Sequence, residues 1–309
     1  MNTIGIDVSK DTFHAAFDDV HVEVFKNTST GIGTFIDRLK AKDATLIGCE
    51  ATGVYHLLLS ETLRRNGWNI RVVNPLIAHR MIGSSLRKVK TDKHDALAIR
   101  KVLMAGAGYP YTDTPEVVAL KMLVQEREAL SKMQTALKHR IHAHDIRALA
   151  TGLTVHDSFT GPLKLLSYEM REIEKKMGEY AAHTQTLLRS IPGVGKVTAA
   201  ALVAHVGDIK RFPSPEKLVA YIGLDSRVHE SGTSIHGKGY ISKRGSRYLR
   251  HVLFNAAFIA KRRNPELKRY MEKKLSEGKH YFSALCAVER KLVHLIWAVW
   301  TRSTPFEKR

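Results

Sequence analysis

The chain has 309 residues, of which 44% are hydrophobic, so it is long enough for two domains and can bury a substantial core. Its formal net charge of +19 predicts a polyanionic partner, most simply nucleic acid, with salt-sensitive binding. The two cysteines, Cys49 and Cys286, support neither a disulfide framework nor a thiolate zinc site, and no run of about 18 apolar residues predicts a membrane span. The N-terminus resembles a strand and not a signal peptide. Together with the low cysteine content, this leads us to expect a reducing cytoplasm.

The first hundred residues alternate short apolar runs with amphipathic segments. The order β-β-β-α-β-α-β-α predicts three antiparallel strands followed by right-handed βαβ crossovers, which gives a mixed sheet covered by helices. A turn at Asp18 and Asp19 joins the second and third strands. The predicted strands are 3–8, 12–18, 20–26, 44–49 and 68–73, and the predicted helices are 30–40, 54–65 and one that begins near Thr91.

Acidic residues stand at the ends of two predicted strands, Asp7 after the first and Glu50 after the fourth. In the predicted topology these strands are parallel neighbours, and ligands of open α/β sheets bind outside the carboxyl ends of strands. Each acid also has an ordinary explanation. Asp7 could form an Asx turn with Ser9 or Lys10, and Glu50 precedes a helix start.

Two more acids lie three residues apart, Asp92 and Asp95, in a basic stretch with Lys90 and Lys93. If Thr91 N-caps a helix there, both acids lie on one face with their Cβ atoms about 5–6 Å apart, and two carboxylates that close repel unless a cation lies between them. Oxygen ligands of this kind suit Mg²⁺ or Mn²⁺. A solvated helix start explains the pair alone, but the convergence of all four acids would be a rare accident.

The middle of the chain predicts two long helices after a Gly/Pro-containing stretch at 104–110, which is a plausible domain boundary. The first helix runs from Pro115 to about 150, and Gly161 opens the second. Apolar residues of the second helix alternate steps of three and four, which is typical of a coiled-coil seam: Leu163, Leu166, Met170, Ile173, Met177, Tyr180, Thr184 and Leu187. The seam could serve a dimerising arm or an intramolecular hairpin, and the pattern does not separate the two.

The segment 190–200 contains a Pro-Gly-Val-Gly-Lys turn that leads into an Ala-rich run, as in a helix-hairpin-helix. Gly193 and Gly195 would let backbone N–H groups and Lys196 approach a phosphate, without reading sequence. A tight interhelical turn is the alternative.

Between residues 238 and 274 the chain carries 12 Lys or Arg and only 2 acids, which predicts a phosphate-binding surface. Ser231 precedes Gly232 just upstream, and a serine in such a loop could act as a nucleophile with guanidinium groups nearby. Ser-Gly pairs are also common turn residues, and Ser234 is a second candidate. The predicted nucleic-acid contacts are Lys90, Lys93, Gly193, Gly195, Lys196, Lys238, Lys243, Arg244, Arg247 and Arg250.

Four motifs together resemble the DEDD transposases of the insertion-sequence "one-ten" family and the similar Piv-type DNA invertases. They are Gly-Ile-Asp-Val-Ser-Lys, Cys-Glu-Ala-Thr-Gly-Val-Tyr, Val-Asn-Pro and Lys-Thr-Asp-Lys-His-Asp-Ala. The resemblance implies that the family's acidic quartet falls on Asp7, Glu50, Asp92 and Asp95, where it would bind Mg²⁺ or Mn²⁺. The family's catalytic serine lies in a Glu-Ser-Gly context, which matches Ser231.

The resemblance also implies an architecture in three parts. Residues 1–107 would form an α/β, RNase H-like (RuvC-like) metal-binding domain with a mixed sheet. Residues 108–188 would form a helical coiled-coil linker for dimerisation. Residues 189–309 would form a mostly α transposase domain that holds the helix-hairpin-helix and the catalytic serine.

The family's chemistry gives the expected partners. They are donor and target double-stranded DNA, and a structured noncoding bridge RNA that pairs with both. A homodimer would assemble into a synaptic tetramer, in which different subunits supply the quartet and the serine. No membrane is expected, and the compartment would be the cytoplasm of a bacterium or archaeon, at the nucleoid.

Two other functions are compatible with parts of the pattern. An RNase H-fold nuclease or Holliday-junction resolvase would use water as the nucleophile and leave Ser231 structural. A sugar-kinase-like ATPase shares the sheet topology, but its first strand should lead into a Gly-containing phosphate loop. Here Asp7 is followed by Val-Ser-Lys, and a charge of +19 is unusual for a small-molecule kinase.

Overall fold

The structure is a computed structural model that describes residues 2–42, 46–50, 53–73, 91–153, 158–226 and 240–307. The chain divides into two compact units, Met1–Thr112 and Asp113–Arg309. We call them the sheet unit and the helical unit. The three-part division expected from the sequence stays a prediction.

The sheet unit contains six strands in the order β3-β2-β1-β4-β5-β6. β1 pairs antiparallel with β2 and parallel with β4, and the other pairs are antiparallel β2–β3, parallel β4–β5 and antiparallel β5–β6. The elements are β1 Thr3–Val8, β2 Thr12–Ala16, β3 Val22–Lys26, α1 Ser29–Ala41, β4 Leu46–Glu50, α2 His56–Arg65, β5 Ile70–Val73, α3 Asp92–Met104 and β6 Tyr109–Pro110. This confirms the predicted element order and the predicted parallel β1–β4 pair, and it fits an RNase H-like mixed sheet.

Two of the predicted strands were too long at their shared turn. The second strand ends at Ala16 and the third begins at Val22, because Asp18 Oδ1 accepts hydrogen bonds from the backbone N–H groups of Val20 and His21. Asp18 therefore stabilises the turn that the sequence indicated. The turn is longer than predicted, so both strands are shorter.

Aromatic and aliphatic side chains on one face of the sheet form the core of this unit. Phe13, Phe25 and Phe35 contact one another with ring centroids 5.1 to 5.4 Å apart, in stacked and edge-on arrangements. Phe13 and Phe35 are fully buried, as is Leu39 on α1. Burial of such side chains contributes about 1.5–3 kcal/mol each, so this face holds the sheet against α1.

The helical unit consists of helices around one apolar core. Its elements are α4 Pro115–Thr151, α5 Thr160–Met177, α6 Ala182–Arg189, α7 Lys196–Val206, a 3₁₀ turn Ile209–Arg211, α8 Pro215–Ile222, α9 Arg247–Arg263, α10 Pro265–Ser276 and α11 Tyr281–Arg302. Almost every residue of α7 is buried, which matches its Ala-rich sequence. No helix in the described ranges is long and apolar enough to cross a membrane.

The helices α4 and α5 form an intramolecular antiparallel hairpin. Arg127 Nε donates to Glu174 Oε1 at 2.7 Å, and Gln134 Nε2 donates to Ser167 Oγ at 2.9 Å, so residue numbers rise on one helix as they fall on the other. Of the two alternatives left open by the sequence, the hairpin is therefore present within one chain. Its buried seam includes Met170.

The predicted seam was wrong beyond Met177, where α5 ends. The next helix begins only at Ala182, after Ala181 adopts a left-handed conformation with φ 49°. Gln185 stabilises the break, since its Nε2 donates to the backbone oxygens of Met177 and Tyr180. The three-four spacing continued across a break in the helix, and spacing alone does not detect a break.

Candidate functional site

The strand register places two acids side by side at one edge of the sheet. Ile6 lies opposite Cys49 in the parallel β1–β4 pair, and the next residue of each strand is an acid, Asp7 and Glu50. Successive side chains alternate between faces, so these two project from the same face at neighbouring strand ends. This is the juxtaposition predicted from the sequence.

The helix α3 lies directly on that face because β1 has a glycine beneath it. A Cβ atom on Gly5 would overlap the backbone of Ala96 and Arg100. The Arg100 Nε group also donates to the backbone oxygen of Thr3 at 2.9 Å. β1 therefore lies along α3, with Thr3 next to Arg100 and Gly5 next to Ala96 and Arg100.

Two further interactions hold α3 in this position. The buried Arg100 guanidinium forms an ion pair with Asp19 beyond the end of β2. On the neighbouring strand, Gly48 leaves room for the Leu103 side chain. Glycines at matching positions of β1 and β4 thus let α3 approach both strands that carry acids.

The first turn of α3 carries Asp92 and Asp95, and Thr91 caps it as predicted. The Thr91 side chain accepts from the His94 backbone N–H at 3.4 Å, and the Thr91 Oγ1 and His94 Nδ1 atoms are 2.7 Å apart. Acids in a first turn are favoured by the helix dipole. Here the same turn faces the strand ends.

The electrostatics of Asp7 indicates that the four acids share one neighbourhood. The pKa of Asp7 is raised to about 6, first by burial and then by the nearby charges of Asp95, Asp92 and Glu50 in that order, while a hydrogen bond from the Val8 backbone lowers it. Like charges disfavour the ionised form of a carboxylate, so this cluster favours a cation.

The donor set, four carboxylates, fits a hard divalent ion in its chemistry. Such an ion takes oxygen ligands, at 2.0–2.1 Å for Mg²⁺. Among the described residues, no three His, Cys, Asp or Glu side chains lie close enough to hold one ion in their present rotamers. Binding of one ion by several of these acids therefore requires their side chains to rearrange.

Sequence reasoning missed one residue of this neighbourhood, His14 on β2. It lies opposite Asp7 in the antiparallel β1–β2 pair, and its Nδ1 atom is 3.8 Å from Asp92 Oδ2. The sequence feature that could have identified His14 is the register of the β1–β2 hairpin, which the turn at Ser9–Asp11 sets. Ser9 Oγ donates to the Thr12 backbone oxygen there at 2.7 Å.

The predicted nucleophiles Ser231 and Ser234 lie outside the described residues, as do Lys90 and Lys238. The chain on either side of 227–239 is described. Ser226 and Ile241 form an isolated antiparallel bridge, and the Lys243 N–H donates to the Gly223 backbone oxygen at 3.0 Å.

The predicted phosphate-binding side chains of the helical unit divide into two groups. Lys243, Arg244 and Arg247 are exposed, as a phosphate surface requires. Arg250 points inward instead, and its Nη1 donates to the backbone oxygens of Ile222 at 3.0 Å and Gly245 at 2.7 Å. Burial lowers the pKa of Arg250, which agrees with a structural position.

The helix-hairpin-helix segment forms the predicted turn between α6 and α7. Gly193 has φ 95°, and a Cβ atom there would overlap Ala256 and Ala260 of α9, so packing alone accounts for this glycine. Gly195 is the N-cap of α7, and it is exposed together with Lys196. The open end of the turn is therefore the part available to a phosphate.

An RNase H-like sheet with acids at two strand ends and in the first turn of the adjoining helix α3, joined to a basic helical unit, defines a class of nucleic-acid-processing enzyme. Two family models match the chain. The DEDD_Tnp_IS110 transposase model matches residues 4–144, and the model described as Transposase IS116/IS110/IS902 family matches residues 185–272. The chain belongs to the IS110 family of DEDD transposases, and it is a DNA transposase/recombinase.

Curated relatives are similar over the full length of both units. The chain is 29% identical to the pilin gene-inverting protein of Moraxella bovis, and the alignment covers 99% of this chain and 98% of the relative. It is 24% identical to the transposase for insertion sequence element IS1328 of Yersinia enterocolitica, over 100% of this chain and 99% of the relative.

Solved structures of RuvC from Thermus thermophilus also match. One, in complex with a Holliday junction substrate, has 14% identity and a TM-score of 0.26, and it covers 35% of this chain and 98% of RuvC. A second RuvC structure has 14% identity and a TM-score of 0.28, and it covers 36% of this chain and 99% of RuvC. The fold class follows from the strand order given above.

Proposed function

We propose that the chain is the transposase of an insertion sequence, which cuts and rejoins DNA with a divalent metal and a serine nucleophile. Asp7, Glu50, Asp92 and Asp95 would hold Mg²⁺ or Mn²⁺, and Ser231 would attack the scissile phosphate. The observation that carries the proposal is the strand register, which places Asp7 and Glu50 side by side on the face covered by the helix that carries Asp92 and Asp95.

When bound, the ion would polarise the scissile phosphate and stabilise the leaving oxygen. The carboxylates orient the site, and α3 keeps Asp92 and Asp95 over β1 through its contact at Gly5. Position contributes strongly to phosphoryl transfer, because reacting groups must be aligned before the bond changes.

In the proposed step the Ser231 hydroxyl oxygen forms a bond to phosphorus, while the bond to the leaving sugar oxygen breaks. The hydroxyl proton passes to the leaving oxygen, directly or through water. A phosphoserine–DNA link results and conserves the phosphodiester energy for rejoining. Water as the nucleophile would instead release a free end.

The proposed partners follow from charge and from the family. The net charge of +19 and the exposed Lys243, Arg244 and Arg247 support binding of donor and target DNA. A structured noncoding guide RNA and a synaptic tetramer, with quartet and serine from different subunits, complete the proposal. One relative is named for inverting a pilin gene, which supports recombination of DNA segments.

Trapping of a covalent protein–DNA adduct tests the nucleophile. We expect an adduct on element-end DNA with the unchanged protein, none with Ser231→Ala, and a normal yield with Ser234→Ala as the matched control. Loss of the adduct only in Ser234→Ala would move the assignment to that residue. Strand joining by Ser231→Ala at a normal rate would refute it.

A nuclease that uses water is the second candidate, because a divalent ion held by carboxylates can activate water for hydrolysis without any serine. It predicts cleaved ends and no adduct from the unchanged protein. The same gel that detects the adduct therefore separates the two functions.

A further inference from the structure

The imidazole of His14 lies within the acidic neighbourhood although it belongs to none of its motifs. Asp7 and His14 are directly opposite in the antiparallel β1–β2 pair, and opposite residues of such a pair project from the same face. That face is the one on which α3 lies, because Gly5 of the same strand contacts the α3 backbone.

The His14 ring is next to an acid on the other side of the site. Its Nδ1 atom is 3.8 Å from Asp92 Oδ2, which is too long for a hydrogen bond. The His14 side chain is 19% exposed and the Asp92 side chain is 62% exposed, so the imidazole is held while the carboxylate has room to turn. His14 thus stands between the acid on β1 and the acid that begins α3.

We propose that His14 is a fifth ligand of the divalent ion, a nitrogen donor beside the four carboxylates. This inference rests on the proposed function. It goes further because the site would then bind the ion through both carboxylate oxygens and an imidazole nitrogen. An imidazole nitrogen is a softer donor than a carboxylate oxygen, so it strengthens the binding of transition-metal ions more than that of Mg²⁺. The site therefore discriminates between Mn²⁺ and Mg²⁺ through His14.

Pulsed EPR on the full-length protein loaded with Mn²⁺ tests this without any measurement of activity. A ¹⁴N nucleus bound directly to Mn²⁺ modulates the electron spin echo. We expect this modulation in the unchanged protein, an altered pattern after ¹⁵N-histidine labelling, and its loss in His14→Ala and in His14→Gln. The Gln variant keeps a polar side chain of similar length, which guards against a misfolded Ala variant.

The matched control is His94→Ala, since His94 adjoins Asp95 but its Nδ1 atom lies 2.7 Å from Thr91 Oγ1. The nitrogen modulation should persist in that variant. Modulation that is lost in His94→Ala and kept in His14→Ala would overturn the assignment.

Affinity gives a second readout. His14→Gln should weaken Mn²⁺ binding by about tenfold, the lower end of the effect of removing a group that supports a metal site. Mg²⁺ binding, measured by competition, should change much less. An equal loss for both ions would overturn the nitrogen-donor role.

Failure of this inference is distinguishable from failure of the proposed function. Mn²⁺ that binds the unchanged protein without nitrogen modulation, and that Asp7→Asn releases, would refute the His14 ligand and leave the four-acid site intact. Mn²⁺ binding that is absent, or equal in the unchanged protein and Asp7→Asn, would refute both.

Discussion

The sheet unit and the helical unit differ in how their charged side chains are arranged. In the sheet unit, strand register and close helix packing gather like charges: Asp7, Glu50 and the acids of α3 lie in one neighbourhood. In the helical unit, the half-buried Arg250 donates to backbone oxygens while other basic side chains remain exposed. A like-charge cluster is unfavourable by itself, so it marks a site for a cation, whereas an inward arginine with two acceptors has a structural explanation.

In the helical unit, Glu289 on α11 is a buried acid without such a structural explanation. Its side chain is 2% exposed, and its Oε1 atom has no hydrogen-bond partner among the described residues. Burial raises its pKa to about 8, although the charges of Arg250 and Arg290 lower it. It is the helical unit's counterpart of Asp7, with guanidinium groups nearby in place of carboxylates.

The largest effect is expected from Asp92→Asn, which removes one charge from the acidic cluster. We expect cleavage to fall by at least about 10²–10³-fold, the loss typical for one group that stabilises transition-state charge. DNA affinity should hold, because removing a negative charge cannot weaken attraction to phosphate. Gel-based cleavage and binding assays measure both, with Asp37→Asn on the exposed face of α1 as a charge-matched control. A large loss of affinity would mean that Asp92 is structural or that metal-mediated contacts dominate binding.

Gly5→Ala tests whether close packing of α3 builds the acidic site. The new Cβ overlaps the α3 backbone, so we expect destabilisation at the upper end of about 1–3 kcal/mol and loss of hydrogen-exchange protection in β1. The control Gly33→Ala lies in α1, where a Cβ meets nothing within 4 Å. It should instead stabilise the protein by about 0.5–1 kcal/mol. Equal effects of the two changes would contradict the packing role.

Glu289→Gln tests the effect of the buried Glu289 carboxyl on the pH dependence of stability. Because the folded pKa of about 8 exceeds the ordinary glutamate value of 4.5, the folded state retains a proton that the unfolded state releases. The stabilising contribution is complete below about pH 4.5 and disappears as pH rises through about 8. The Gln variant should flatten that decline and be more stable by about 1–2 kcal/mol at pH 9. Denaturant titrations at pH 5 and pH 9 measure it, and parallel declines of the two proteins would contradict the buried acid.

The smallest expected effect concerns the exposed basic surface. Replacing Lys243 and Arg244 together by Gln should reduce the slope of log affinity against log salt by about 0.9 for each duplex phosphate that the protein then fails to neutralise. Lys40 and Lys42 of the sheet unit, changed in the same way, should leave the slope unchanged. An identical slope in both double variants would place the DNA elsewhere.

Much of the sheet unit was predictable because its signals are local. Short apolar runs predicted the order of the strands, and Thr91, as an N-cap residue, predicted the start of α3. The acids at the strand ends then followed from the parallel β1–β4 pair. His14 was not found, because its place depends on the residue-by-residue register of the β1–β2 hairpin and on the docking of α3.

The helical unit was less predictable for a physical reason. Heptad spacing continues across the break after Met177, because the apolar residues beyond it serve the same core from a different helix. Arg250 carries the same charge as its neighbours, and only three-dimensional packing turned it towards the Ile222 and Gly245 carbonyls.

By itself, the sequence determined the fold class of the first unit and the basic character of the second unit, since these depend on residue type and short-range spacing. The assignment of the four acids to one metal site came from the family resemblance and stays a prediction. The tertiary structure decided which side chains share one electrostatic environment. That depends on register and on how closely a helix approaches a strand, and here one missing Cβ at Gly5 allowed α3 to bring its acids to Asp7.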